Sequence, residues 1–246
     1  MCESLKEGDG LATILAIDTS AKSVSCALVR EGRVLGSFYT NTGMTHSQTL
    51  LPMVESLLKT TETNIGEVDA IAVNAGPGSF TGVRIGVSAV KGLAFTANLP
   101  CISVSTLASM AENVPIHPGV VICGVMDARC QQVYTALFTG DDNNLPVRIS
   151  EDEAISISGL KERLQALDKA IVLVGDGSAM CYDLLKDSLP NLILAPASIR
   201  MQNAVGAALV AERLFMNEQT IPAAELLPTY LRLPQAEREL NSRLGK

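Results

Sequence analysis

The residues best suited to chemistry lie at 73–92. There an apolar strand end meets Asn74-Ala75-Gly76-Pro77-Gly78-Ser79-Phe80-Thr81-Gly82, and a helical run follows over 83–97. Gly76 and Gly78 can take positive φ or let backbone approach closely, and Pro77 fixes φ between them. Ser79 or Thr81 can cap the helix by accepting a bond from a first-turn N–H. Such a helix N-terminus can hold an anion, with Arg84 close by. It is not a dinucleotide fingerprint, because G-x-G-x-x-G needs glycine at position 81, which is Thr. Nor is it a phosphate loop, since no Gly-Lys-Ser/Thr follows.

The helix behind the turn carries Gly82, Gly86 and Gly92, each costing about 1 kcal/mol relative to Ala. Ser79, Gly82, Gly86 and Ala89 (or Val90) recur three or four apart and share one face. A face of small residues admits a close neighbour. That neighbour would be a second helix, and packing of the strand–turn–helix unit alone and a docking surface are equally served by the spacing.

Other reactive residues are sparse. The only histidines, His46 and His117, are far apart in sequence, and neither completes a Ser/His/Asp or Cys/His set. His46 sits at the first turn of a helix, a place for a surface or capping residue. The six cysteines form no C-x-x-C, and Cys26, Cys101 and Cys123 lie in apolar runs, as small reduced core residues do. Asp18 ends an apolar strand, where a carboxylate commonly accepts backbone N–H bonds in a turn.

Composition narrows the function classes. With 246 residues and 47% hydrophobic content the chain can bury a sizeable core, and with 4% aromatics that core is aliphatic. A net charge of −7 argues against autonomous nucleic-acid binding. No signal peptide is visible, and no apolar run reaches the ~20 residues of a membrane span, so a cytoplasmic protein is expected.

The elements that must position these residues follow from patterning. Strands are expected at 13–17, 23–29 and 33–39, with a hairpin signal at Arg30-Glu31-Gly32. Thr45 and Gln48 match a capping box before a helix with apolar residues at 50, 51, 53, 54, 57 and 58. That band is too wide for one neighbour, and Pro52 interrupts it. A strand at 69–73, the glycine-bearing helix, a strand at 101–104 and a helix at 105–113 complete the first half. The second half begins with a strand at 121–126 ending in Asp127. A D-x5-V-x2-A-L spacing is common to Asp18-Val24-Ala27-Leu28 and Asp127-Val133-Ala136-Leu137 and suggests duplication. A helix at 160–167, strands at 170–174 and 192–194, and a long helix at 200–216 follow.

The stretch N-A-G-P-G-S-F-T-G-V-R-I-G at 74–86, with I-D-T-S at 17–20 and H-S-Q-T-L-L-P-M at 46–53, resembles the TsaB (YeaZ) family. These are non-catalytic, actin-like-fold members of the bacterial threonylcarbamoyl-adenosine tRNA modification machinery. Pro228-Thr229-Tyr230-Leu231-Arg232 is similar to that family's C-terminal signature. The resemblance implies an α/β, actin-like and ribonuclease-H-like fold of two related lobes, 11–112 and 113–233. The long helix of the second lobe would be free to pack back on the first, and 1–10 and 234–246 are expected to be loose tails.

The same resemblance places remnants of a nucleotide cleft at Asp18, Thr19, Ser20, Asp127, Gly175, Asp176 and Gly177. The turn after Asp127, Ala128-Arg129-Cys130, has no glycine for phosphate to approach. The related catalytic subunit, TsaD, holds its metal through a closely spaced histidine pair, which this chain lacks. The implied protein has no catalytic or metal residues and docks on TsaD, together with the ATPase TsaE. It would reach tRNA only through the complex and dimerise when alone. No cofactor is required, and any ATP or ADP binding is weak or shared. The docking face is expected at His46, Leu50, Met53, Val54, Leu57, Ser79, Phe80, Gly82, Arg84, Gly86 and Val90. The competing reading is an autonomous ATP-dependent enzyme, such as a small-molecule kinase, or a glycoprotease-like peptidase.

Overall fold

The computed structural model describes residues 12–232 of the chain, so the two expected tails lie outside the described residues. Strands β1 (Thr13–Asp18), β2 (Val24–Arg30) and β3 (Arg33–Thr40) form an antiparallel meander, followed by helix α1 (His46–Thr60). Strand β4 (Ala70–Gly76), helix α2 (Phe80–Ala97), strand β5 (Cys101–Ser105) and helix α3 (Thr106–Glu112) complete the first half. The second half repeats the plan. It comprises β6 (Val120–Asp127), β7 (Gln132–Gly140), β8 (Pro146–Arg148), β9 (Glu153–Ser156), α4 (Ile157–Gln165) and β10 (Ala170–Val174). Then come α5 (Ser178–Leu185), β11 (Leu192–Leu194), α6 (Ala197–Arg200) and α7 (Ala204–Met216).

Each half makes one sheet, ordered β3-β2-β1-β4-β5 and β8-β7-β6-β10-β11, with β9 also paired to β7. The two orders are the same, and the third-strand position of the second sheet is filled by two short pieces.

The layers follow from alternation. On β1 and β2, Leu15, Ile17, Val24, Cys26 and Leu28 face α1 and α2, which bury Leu50, Val54, Leu57, Val83, Val87 and Val90 against them. The opposite face, with Ile14, Ala16, Ala27 and Val29, receives α7 through Ala204, Ala207, Ala208 and Ala211. Helix α7 follows the second sheet in sequence yet packs on the first. Beside it, α3 turns Leu107, Met110 and Ala111 toward Ile122, Met126 and Phe138 of the second sheet. A Cβ on Gly206 would strike the Ser109 carbonyl, so glycine there brings α7 against α3. An Arg213–Glu112 ion pair ties the same helices. Helices α4 and α5 cover the outer face of the second sheet.

Two local expectations are corrected, the Thr45 cap and the unbroken helix at 200–216, and one is met. Thr45 makes no side-chain cap, and only its carbonyl is used, by Gln48 N–H at 3.0 Å. Ser79 caps α2, accepting from Gly82 N–H at 3.3 Å. The expected helix at 200–216 is broken, because Asn203 is extended and caps α7 by accepting from Val205 N–H at 2.9 Å.

Candidate functional site

The first acidic turn is packed shut. Asp18 Oδ1 accepts Ser20 N–H at 2.8 Å, and the residue is 1% exposed. Its Oδ2 is buried without a partner. Burial pushes this carboxyl above its ordinary range, against the opposing influence of Ser20, Asn74 and the nearby His46. The lid is α2 itself. Thr19 Oγ1 donates to the Gly82 carbonyl at 2.7 Å, and Ser79 N–H donates to the Ser20 carbonyl at 2.7 Å. A Cβ on Gly78 or Gly82 would run into the Ser20 or Thr19 carbonyl, and one on Gly86 would meet Thr19 Oγ1 and Val73. Gly82 and Gly86 thus seat the helix on the β1–β2 turn and face inward, whereas Gly92 is exposed.

The second acidic turn is open. Asp127 is exposed, and its Oδ1 accepts Arg129 N–H at 2.7 Å. Arg129, Cys130 and Gln131 follow with φ of 62°, 52° and 57°, three successive non-glycine residues in the left-handed region. The glycine turn at 175–177 backs onto the end of β6. A Cβ on Gly175 would strike the Val125 carbonyl, and Gly177 N–H donates to that carbonyl at 3.1 Å. These two glycines therefore serve packing. Asp176 accepts Gln202 Nε2 at 2.9 Å, and burial, reinforced by Asp127, raises its pKa.

Between the turns lies a cleft of about 620 Å³. Ser20, Lys22, Ser79, Phe80, Asp127, Arg129, Asp176, Tyr230 and Arg232 are among its walls. Of the expected nucleotide remnants it gathers Ser20, Asp127 and Asp176, while Asp18, Thr19, Gly175 and Gly177 lie behind the surface. Among the described residues no group of three or more His, Cys, Asp or Glu side chains is placed to share a metal ion. Four cysteines are buried, with the thiols of Cys26 and Cys123 pushed by burial to about 12. Only Cys130 among the described cysteines is exposed.

On the outer side, α1 and α2 leave a groove of about 500 Å³, lined by Ser47, Leu50, Leu51, Phe80, Thr81, Arg84, Ile85, Ser88 and Ala89. Leu51 is 50% exposed in it. Of the expected docking residues, Leu50, Phe80 and Arg84 line this groove. His46 and Met53 are half-buried, with His46 Nε2 lying 3.3 Å from the Lys22 carbonyl, and Ser79 is exposed. Val54, Leu57, Gly82, Gly86 and Val90 are buried toward the sheet and present nothing to a partner, which corrects that part of the expectation. Ser47, Leu51, Thr81, Ile85, Ser88 and Ala89 also line the groove and were not among the expected residues. Their signal was the excess width of the apolar band and the helical positions opposite the glycines.

Two sheets of one strand order, helices on both faces of each and a cleft between two acidic turns define an actin-like, ribonuclease-H-like fold. A profile of TsaD, described as tRNA N6-adenosine threonylcarbamoyltransferase, matches residues 40–239. The tRNA threonylcarbamoyladenosine biosynthesis protein TsaB of Escherichia coli is 35% identical over 92% of this chain and 97% of its own length. The Bacillus subtilis TsaB is 33% identical over 92% and 96%. YeaZ of Pseudomonas aeruginosa superposes with a TM-score of 0.72 at 29% identity, covering 90% of this chain and all of that one. A P. aeruginosa protein described as similar to peptidase YeaZ superposes with a TM-score of 0.77 at the same identity and coverage. The chain belongs to the TsaB (YeaZ) family, within the reach of the TsaD profile.

Proposed function

We propose that the chain serves tRNA threonylcarbamoyladenosine biosynthesis as an accessory subunit without activity of its own. It docks through the α1–α2 groove on TsaD and works with TsaE in threonylcarbamoyl transfer to adenosine in tRNAs reading codons that begin with A. The observation that carries this reading is the groove itself, where Leu51, Ile85 and Ala89 give an apolar floor and rim on two helices already committed to the sheet. When the chain is alone, a second copy fills the same groove, each patch meeting its own counterpart.

The reading of no catalysis rests on the closed first turn. Asp18, which would manage Mg–phosphate, is buried behind the turn that α2 closes, and the second turn presents side chains where glycine would admit phosphate. The chain requires no cofactor, and the cleft offers ATP or ADP at most weak or shared binding. With a net charge of −7, tRNA is reached through the complex. Co-elution with the TsaD of the same organism, followed by reconstitution with TsaE and supplied threonylcarbamoyl-adenylate, tests this. Modification is expected only when TsaD is present. Robust modification of tRNA by this chain alone overturns the proposal.

A further inference from the structure

The docking groove and the interlobe cleft share a wall. Phe80 and Thr81 line both. Arg84 lines the groove, its guanidinium 3.7 Å from the centroid of the Phe80 ring. Arg84 Nε also donates to the Tyr230 hydroxyl at 2.8 Å. Tyr230 faces the cleft, with its ring centroid 4.9 Å from that of Phe80.

The chain on either side of Tyr230 is pinned to different lobes. Thr229 N–H donates to the Ala75 carbonyl at 2.7 Å, at the end of β4. Gly76 beside it takes φ of 134° and has no room for a Cβ beneath the Thr229 carbonyl, so this anchor is tight. Arg232 donates to the Ala128 carbonyl at 2.6 Å, one residue past Asp127 in the second lobe. Any change in the spacing of the lobes therefore pulls on Arg232 while Thr229 stays with the first lobe. Of the two residues between them, Tyr230 holds Arg84.

We propose that the C-terminal segment at 229–232 couples the spacing of the two lobes to the docking groove, with Tyr230 and Arg232 as positioning residues for Arg84. The proposal rests on the reading of the groove as the docking surface. An exposed arginine samples many rotamers, and one held by a ring and a hydroxyl before binding loses less freedom on docking. Linkage makes the effect reciprocal: whatever opens the cleft weakens docking, and docking resists opening by the same factor.

A double-mutant cycle on TsaD binding, read by titration calorimetry with the melting temperature of each variant, tests the coupling. Arg232→Ala, which lies outside the groove, and Arg84→Ala are each expected to weaken binding by about three- to thirty-fold. The double variant is expected to bind no more weakly than Arg84→Ala, because Arg232 acts through Arg84. Equal losses from Arg232→Ala in both backgrounds, or no loss at all, overturn the coupling. Tyr230→Phe removes only the hydroxyl and repeats the cycle if Arg232→Ala fails to fold; the same dependence on Arg84 is expected, and its absence overturns the proposal. Leu51→Asp separates the two claims. If it binds TsaD as wild type does, the docking reading fails and the coupling with it. If it abolishes binding while the cycle is additive, the coupling alone fails.

Discussion

The turns after β1 and β6 are built on one plan and reach opposite ends. Both close with an Asp whose Oδ1 accepts the N–H two residues on. Yet Asp18 pairs with Ser25 across the hairpin, whereas Asp127 pairs with Val133, so the first turn is one residue longer. Because side chains alternate along a strand, that single residue sends the two carboxylates to opposite faces. Asp18 shares its face with Ile14 and Ala16, toward α7. Asp127 shares its face with Cys123 and Val125, toward α4 and α5. One acid is therefore sealed in the central layer, and the other stays at the rim of the cleft. Two lobes of equal topology need not keep equivalent chemistry.

The largest effect that sharpens this contrast comes from the helix that seals the first turn. Gly82→Ala forces a Cβ into the Thr19 carbonyl, and Gly86→Leu overfills the space against Thr19 and Val73. Each is expected to cost about 1–3 kcal/mol and to lower the melting temperature by about 3–10 °C. Unchanged melting for both would show that the glycine face is not packed on the turn.

The acids themselves come next. Burial raises the folded-state pKa of Asp18 above its unfolded value of about 3.9. The folded state therefore keeps the proton longer, so the contribution to stability is fully present below the unfolded pKa. It is lost as pH rises toward the folded value. Asp18→Asn is always neutral, so it is expected to gain stability relative to wild type between pH 4 and pH 7, read from urea midpoints at each pH. A gain that is absent or reversed contradicts a buried, uncompensated Asp18. The matching Asp127→Asn keeps the turn's acceptor on an exposed residue and is expected to stay within about 0.5 kcal/mol of wild type at both pH values.

The smallest effect probes the open turn. Cys130 has φ of 52° in the middle of the left-handed run. Cys130→Gly is expected to raise stability by about 0.5–1 kcal/mol, relief of backbone strain offset in part by the freer unfolded chain. Loss of stability in denaturant melts would mean that the Cys130 side chain makes contacts outweighing that strain.

Much of this was legible in the sequence. Apolar runs and turn residues located the main strands, and Ser79 was readable as a helix cap. The D-x5-V-x2-A-L echo did mark two hairpins. Val24 with Val133, and Ala27 with Ala136, occupy matching outer and central layers. It could not reveal the one-residue difference in pairing, because spacing along a chain does not state which residue lies across the sheet. The direction of the glycine face was equally hidden: three-four spacing says that residues share a face, not what that face meets. Strands β8 and β9 are too short to carry an alternating pattern. Tyr230 and Arg84 stand 146 residues apart, and no local signal joins them.

The central claim is that function resides on the outer groove and not in the cleft. TsaD affinity measured for Leu51→Asp beside Asp127→Asn tests it most directly. Leu51 is half-exposed, so the charge is expected to leave the fold intact and to weaken binding by at least about tenfold. Asp127→Asn is expected to bind as wild type does. Wild-type affinity for Leu51→Asp together with lost binding for Asp127→Asn would place the partner in the cleft and contradict the account.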